Sequence, residues 1–171
     1  TGTYPNRIGI NGALFPQSKV GLNSNEKTIA EILKEKKYKT AVIGKWHLGH
    51  QKEFLPLNHG FDYYYGIPYS NDMWPVDFDG NQITNNNDWR KKNYPQLPII
   101  ENYKKIAEVR TLDDQAKLTT LYTEKSVEFI NENANRPFFL YVPHSMPHVP
   151  IAASNKFKGK SMQGLYGDVI M

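Results

Sequence analysis

Cysteine is absent from the 171 residues. The chain therefore has neither a disulfide nor a thiolate metal site, and cysteine usage says nothing of its compartment. No window approaches 18 consecutive apolar residues, which excludes a membrane-spanning helix. The opening TGTYPNRIGI has no basic start, no apolar core of a signal peptide and no initiator Met. No Asn-x-Ser/Thr sequon, no Gly-x-x-x-x-Gly-Lys phosphate loop and no Gly-x-Ser-x-Gly nucleophile elbow occurs. Aromatic residues are not interleaved with Arg as in nucleic-acid binders, so nucleic acid is not an expected partner. An internal repeat is also missing.

Charge of either sign is modest. Lys and Arg total 21 against 17 Asp and Glu, a net +4 that suits ordinary solubility and could also attract phosphate or sulfate. The densest basic run, Lys34, Lys36, Lys37 and Lys39, falls at a predicted helix end, where cations complement the helix dipole. Hydrophobic residues make up 39%, which with this length predicts one globular domain with a sizeable core.

The first 25 residues are rich in Gly, Pro, Asn and Ser and read as a long ordered loop. Ile29, Ile32 and Leu33 at helical spacing predict a short amphipathic helix over 26–37. YKTAVIG, 38–44, is a buried-strand signature. The Asn- and Pro-rich stretch 77–98 reads as irregular surface loop. Helical period returns over 113–133 until Arg136-Pro137, and Phe138 to Val142 reads as a second buried strand. Helix alternating with buried strand predicts an α/β layer with a mostly parallel sheet.

Ionisable residues follow each strand at once. Lys45-Trp46-His47-Leu48-Gly49-His50 comes after the first, and Pro143-His144-Ser145-Met146-Pro147-His148 after the second. Ligands of open parallel sheets bind beyond the carboxyl ends of strands, so parallel strands would gather Lys45, His47, His144 and His148 at one crevice. In an extended segment Lys45 and His47 would face one side, with Trp46 turned into packing. A Lys and a His facing one anion suit transfer of a sulfuryl or phosphoryl group. Each residue also has an ordinary reading. Lys45 could be a solvated strand-end charge, His47 and His50 loop histidines, and His59 a turn residue. His144 and His148 have a zinc spacing only if helical, and Pro143, Pro147 and Pro150 argue against a helix.

These segments, in this order, resemble the sulfatase family, the arylsulfatase A group in particular. TGTYPNRIGI is similar to the segment just after the family's nucleophile motif, with Thr3 where Arg is usual. KTAVIGKWHLGH resembles the second family signature, and FLPLNHGFDYYYGIPYSND, RPFFLYVPHSMPHVP and GLYGDVIM match later elements. The resemblance implies an alkaline-phosphatase-like α/β sandwich, sulfate-ester hydrolysis, a formylglycine nucleophile and a calcium ion. It implies that Lys45 binds sulfate oxygens, that His47 acts as a base, and that Ser70 contacts substrate. His148 would bind sulfate and help protonate the leaving alcohol. His144 aligns less securely, as a pocket residue, and Asp72 reads as structural.

The nucleophile is expected just upstream of Thr1, and most calcium ligands outside 1–171, so no metal ligand is assigned among these residues. The chain then reads as the central portion of one larger catalytic domain, inactive alone, from a periplasmic or secreted enzyme acting on a sulfated small molecule or carbohydrate. A phosphatase, phosphodiesterase or phosphonate hydrolase of the same superfamily is the alternative, and a catalytically silent carbohydrate-binding relative is another. The loop 73–110 is the candidate for specificity; its Trp74, Trp89 and Tyr94 would stack on a substrate or pack the loop.

Overall fold

A mixed five-stranded sheet organises the chain, in a computed structural model that describes residues 1–77 and 79–171. The elements run α1 (Ile29–Glu35), β1 (Lys39–Lys45), β2 (Tyr63–Ile67), α2 (Trp89–Asn93), β3 (Leu97–Glu101), β4 (Lys104–Val109), α3 (Leu112–Asn133), β5 (Phe138–Tyr141) and α4 (Gly164–Ile170). Sheet order is β4-β3-β2-β1-β5. β1 pairs parallel with both β2 and β5, whereas β2–β3 and β3–β4 are antiparallel. The sheet is therefore parallel only over its β2-β1-β5 part.

Both helical readings, the short one and the long one, hold, and their caps say why. Thr28 Oγ1 accepts from the Glu31 amide while the Glu31 carboxylate accepts from the Thr28 amide, a capping box that starts α1. Thr111 and Asp114 make the same box for α3. The face that α1 buries differs from expectation. Ala30 is fully buried, while Ile29 and Ile32 stay 54% and 46% exposed. Of the basic run, Lys34 and Lys39 lie 2.8 Å and 3.6 Å from the Asp62 carboxylate, so a specific ion pair joins the dipole there.

The centre of β1, residues 41–43, is apolar because both its faces are covered. Ala41 and Ile43 pack with Tyr65, Ile67, Leu118 and Tyr122 on the α3 side, whereas Val42 packs with Ala30, Trp46 and Tyr64 on the α1 side. The reading of 77–98 as irregular loop is corrected. α2 and the start of β3 fall inside it, and the whole β3–β4 hairpin falls inside the wider 73–110 stretch, of which Phe78 lies outside the described residues. β3 is only five residues long, begins Leu-Pro, and carries a register shift at Ile99/Ile100, so no clean alternation marks it. Trp74 and Tyr94 are core residues, 1% and 9% exposed, and of the three aromatics only Trp89 is largely exposed, at 54%.

The strand ends meet unusually closely. A Cβ on Gly66 would lie 1.8 Å from the Gly44 carbonyl oxygen, and one on Gly44 would lie 2.2 Å from the Pro143 oxygen. The obstacles are backbone atoms, so no side chain can swing aside. Gly66→Ala is expected to destabilise the protein by about 3 kcal/mol, at the upper end for overpacking. Urea unfolding with an unchanged slope would read it as a lower midpoint. A loss below about 1 kcal/mol would show that the strands can separate freely.

Candidate active site

The parallel pairing of β1 with β5 and β2 brings three loops to one sheet edge. Lys45 is the last residue of β1, and its amide donates to the Pro143 carbonyl at 2.8 Å. The next two amides turn to the other neighbour: Trp46 donates to Ile67 at 3.0 Å and His47 to Pro68 at 3.1 Å. The Lys45–His47 run is thus strapped to the segment leading into Ser70 and to the segment leading into His148.

The run is not simply extended. His47 has φ 57°, in the left-handed region that non-glycine residues seldom adopt. Alternation therefore does not set the direction of its ring. Trp46 does turn inward: it is buried, its Nε1 donates to the Phe54 carbonyl at 2.8 Å, and its ring stacks on His59 with centroids 6.0 Å apart. The His47 Nε2 lies 3.1 Å from the Leu14 carbonyl oxygen. A carbonyl can only accept, so this contact assigns the proton to Nε2 and leaves Nδ1 as the lone-pair nitrogen of the neutral ring.

Electrostatics join four side chains. Burial lowers the Lys45 pKa, and the Asp72 carboxylate opposes that shift. Burial also lowers the His47 pKa; the charges of Lys45 and His148 push it the same way, while the Leu14 carbonyl and Asp72 oppose. His47 therefore feels the charge of Lys45, Asp72 and His148, and Lys45 that of Asp72. Ser70 is 1% exposed, and its Oγ has no hydrogen-bond partner among the described residues; one Asp72 carboxylate oxygen is likewise unpartnered. His148 is exposed, with Nδ1 2.6 Å from the Val149 carbonyl.

The other histidines stand apart. The His144 ring rests on Tyr122 of α3, with centroids 6.2 Å apart, and partial burial lowers its pKa. His50 meets the Tyr69 ring edge-on. His59 is completely buried with neither ring nitrogen partnered among the described residues, and burial lowers its pKa, so it packs as a neutral ring. Residues 143–150 form no helix, in keeping with their prolines. Among the described residues no three His, Cys, Asp or Glu side chains are grouped to hold a metal ion, so these residues do not fit calcium. Sequence reasoning missed Asp72 as a neighbour of the Lys–His pair, although it lies two residues from Ser70. It also missed the Leu14 carbonyl, a backbone atom with no sequence signal.

A family model described as Sulfatase matches residues 1–166. The chain belongs to the sulfatase family. It is 37% identical over 180 residues to arylsulfatase G of Rattus norvegicus, covering 97% of this chain and 34% of that protein. It is 32% identical over 177 residues to N-acetylgalactosamine-6-sulfatase of Homo sapiens, covering 99% and 31%. The chain thus spans about a third of the length of these curated relatives. Among solved structures, the PsFucS1 sulfatase from Pseudoalteromonas sp. superposes with a TM-score of 0.82 at 28% identity, over 98% of this chain and 36% of that one. The Ps i-CgsB complex with k-i-k-neocarrahexaose superposes with a TM-score of 0.74 at 25% identity, over 99% and 39%. The α/β architecture expected from the sequence is therefore the sulfatase one, represented here in part.

The shared electrostatics of the sulfatase edge can be read directly. Lys45→Met is expected to raise the His47 pKa, because it removes a cation that disfavours the imidazolium. Asp72→Asn is expected to lower it further, because it removes the opposing anion. Histidine-ring NMR titrations of the two variants check both signs. An unmoved His47 in either would separate that residue from the group.

Proposed function

We propose that this chain supplies the anion-binding and proton-transfer side of a sulfate-ester hydrolase. The observation that carries the reading is that Lys45, Asp72 and His148 all act on the charge of His47, in a chain of the sulfatase family whose Ser70 hydroxyl has no hydrogen-bond partner among the described residues. Lys45 is a point cation for sulfate oxygens, and its partial burial strengthens that attraction, since screening by water falls. The Ser70 hydroxyl donates a hydrogen bond to a sulfate oxygen. His47, kept neutral by burial and by Lys45, offers Nδ1 to take up a proton. His148 holds a proton for the departing alcohol, which leaves poorly as an alkoxide. His144 faces the rest of the substrate.

The formylglycine nucleophile and the calcium ligands are proposed to come from parts of the protein outside 1–171. Supporting this are the absence of Cys from these residues, the lack of a metal-holding group among those described, and relatives about three times as long. No step assigned to Lys45, His47, Ser70 or His148 passes through either group. The substrate is a sulfated carbohydrate or small molecule, and the N-acetylgalactosamine-6-sulfatase relatives favour a sugar. Such substrates are met outside the cytoplasm, hence a periplasmic or secreted enzyme. No helix among the described residues is long and apolar enough to cross a membrane.

In the full-length protein, nitrophenyl sulfate is expected to be hydrolysed in clear preference to nitrophenyl phosphate, assayed side by side. Preference for phosphate would turn the assignment to a phosphatase or phosphodiesterase. Lys45→Ala is expected to lower kcat/KM by roughly 100- to 1000-fold for nitrophenyl sulfate, as for loss of one charge-stabilising group, and His148→Ala by a similar factor for an alkyl sulfate, whose leaving group needs the proton. Unchanged rates in both would overturn this assignment of the site, whereas absence of turnover in the unmutated full-length protein would favour a silent carbohydrate-binding relative. The purified 171-residue chain alone is expected to show no sulfate-ester turnover, and measurable turnover would refute the division of the site.

A further inference from the structure

We propose that Asn71, secured by Gln115, is the positioning residue that ties the His148 loop to the segment carrying Ser70; this rests on the reading of the site given above. Asn71 directly follows Ser70 and is completely buried. Its Nδ2 lies 3.2 Å from the His148 carbonyl oxygen and 3.4 Å from each of the Val149 and Pro150 oxygens. Three carbonyls can be faced only by the N–H edge of the amide, since its oxygen edge would meet three acceptors. Two hydrogens shared among three acceptors make a branched clasp. On its other side Asn71 is held by its main chain. Gln115, in the first turns of α3 and also completely buried, donates from Nε2 to the Asn71 carbonyl at 2.7 Å.

His148 needs such a support. It is exposed, and among the described residues its ring has one hydrogen-bond contact, to the neighbouring Val149 carbonyl. Its loop is neither strand nor helix, so its shape depends on point attachments. One of these is Ser145, whose Oγ lies 3.3 Å from the Tyr122 hydroxyl and whose carbonyl accepts from the His148 amide at 3.1 Å. Asn71 grips the other half, at 148–150. Because Ser70 and Asn71 are adjacent, the same residue ties the substrate-contacting hydroxyl to the proton donor. A shift in Asn71 would move His148 relative to the departing oxygen without altering Lys45.

The leaving group makes this testable in the full-length enzyme. An alkyl sulfate needs the proton from His148 far more than nitrophenyl sulfate does, because nitrophenolate departs unaided. Asn71→Ala is expected to lower kcat for an alkyl sulfate by roughly 10- to 100-fold, with little change in KM and a much smaller loss for nitrophenyl sulfate. Gln115→Met, which leaves the clasp in place and removes its anchor, is expected to give the same selectivity at roughly 3- to 10-fold, and it decides the matter if Asn71→Ala does not fold. Joined to His148→Ala, Asn71→Ala is expected to cost nothing further, since both act through one proton donor. Equal losses for the two substrates in a folded variant, or additive losses in the double variant, would overturn the proposal. Leaving-group selectivity in His148→Ala but in neither folded variant would overturn it alone. Absence of that selectivity in His148→Ala itself would remove the reading of the site and the proposal together.

Discussion

Backbone contact at the carboxyl end of β1 holds the candidate site together. Gly44 and Gly66 let the main chains of β1, β2 and the Pro143 segment approach within distances that no Cβ would permit. The amides of Lys45, Trp46 and His47 then bond to Pro143, Ile67 and Pro68 in turn. The three loops that carry Lys45 and His47, Ser70 and Asp72, and His148 therefore start from one rigid junction. The geometry of a charged site is only as stable as the elements that present it. Here the presenting elements are a central strand covered on both faces and two parallel neighbours.

On that junction the chain places groups whose ionisation is shaped by one another. Burial disfavours the charge on Lys45 and on His47, and Asp72 restores part of it to both. A cation beside a neutral imidazole is a useful pair for an oxyanion, since one attracts charge while the other accepts a proton. The proposed chemistry lies at the carboxyl ends of these strands, where ligands of parallel sheets bind. The cleft of about 300 Å³ lined by Lys39, Asp62, Tyr63, Glu101 and Lys125 lies at the amino ends of β1 and β2. Its charges already pair with each other, Lys39 with Asp62 and Lys125 with Glu101.

Much of the fold was legible because its signals are local. YKTAVIG, with its apolar β-branched run closed by Gly, reads as a buried strand whatever lies elsewhere, and the helix over 113–133 announces itself through its period. The β3–β4 hairpin was not legible. Its strands are short, one contains Pro98, and their ladder is irregular, so position beside β2 rather than propensity makes them strands. The aromatic residues show the same limit. Trp74 and Tyr94 lie in a polar, Asn-rich stretch that suggests exposure, yet they fill the core under α3 because the hairpin folds back over them.

By itself the sequence determined the family, the α/β class and the identity of Lys45, His47, Ser70 and His148 as candidates. The class and Lys45, His47 and His148 rest on residue type and near-neighbour spacing, whereas the family and Ser70 rest on the resemblance of short local motifs, which the chain carries wherever it goes. Only the tertiary structure decided that β1 and β5 run parallel, that Asp72 joins the Lys–His pair, that Leu14 orients His47, and that Asn71 grips the His148 loop. Those outcomes depend on distances between residues up to 79 positions apart and on how much water is excluded around them. Burial and through-space charge are properties of the folded arrangement, so no local pattern can encode them.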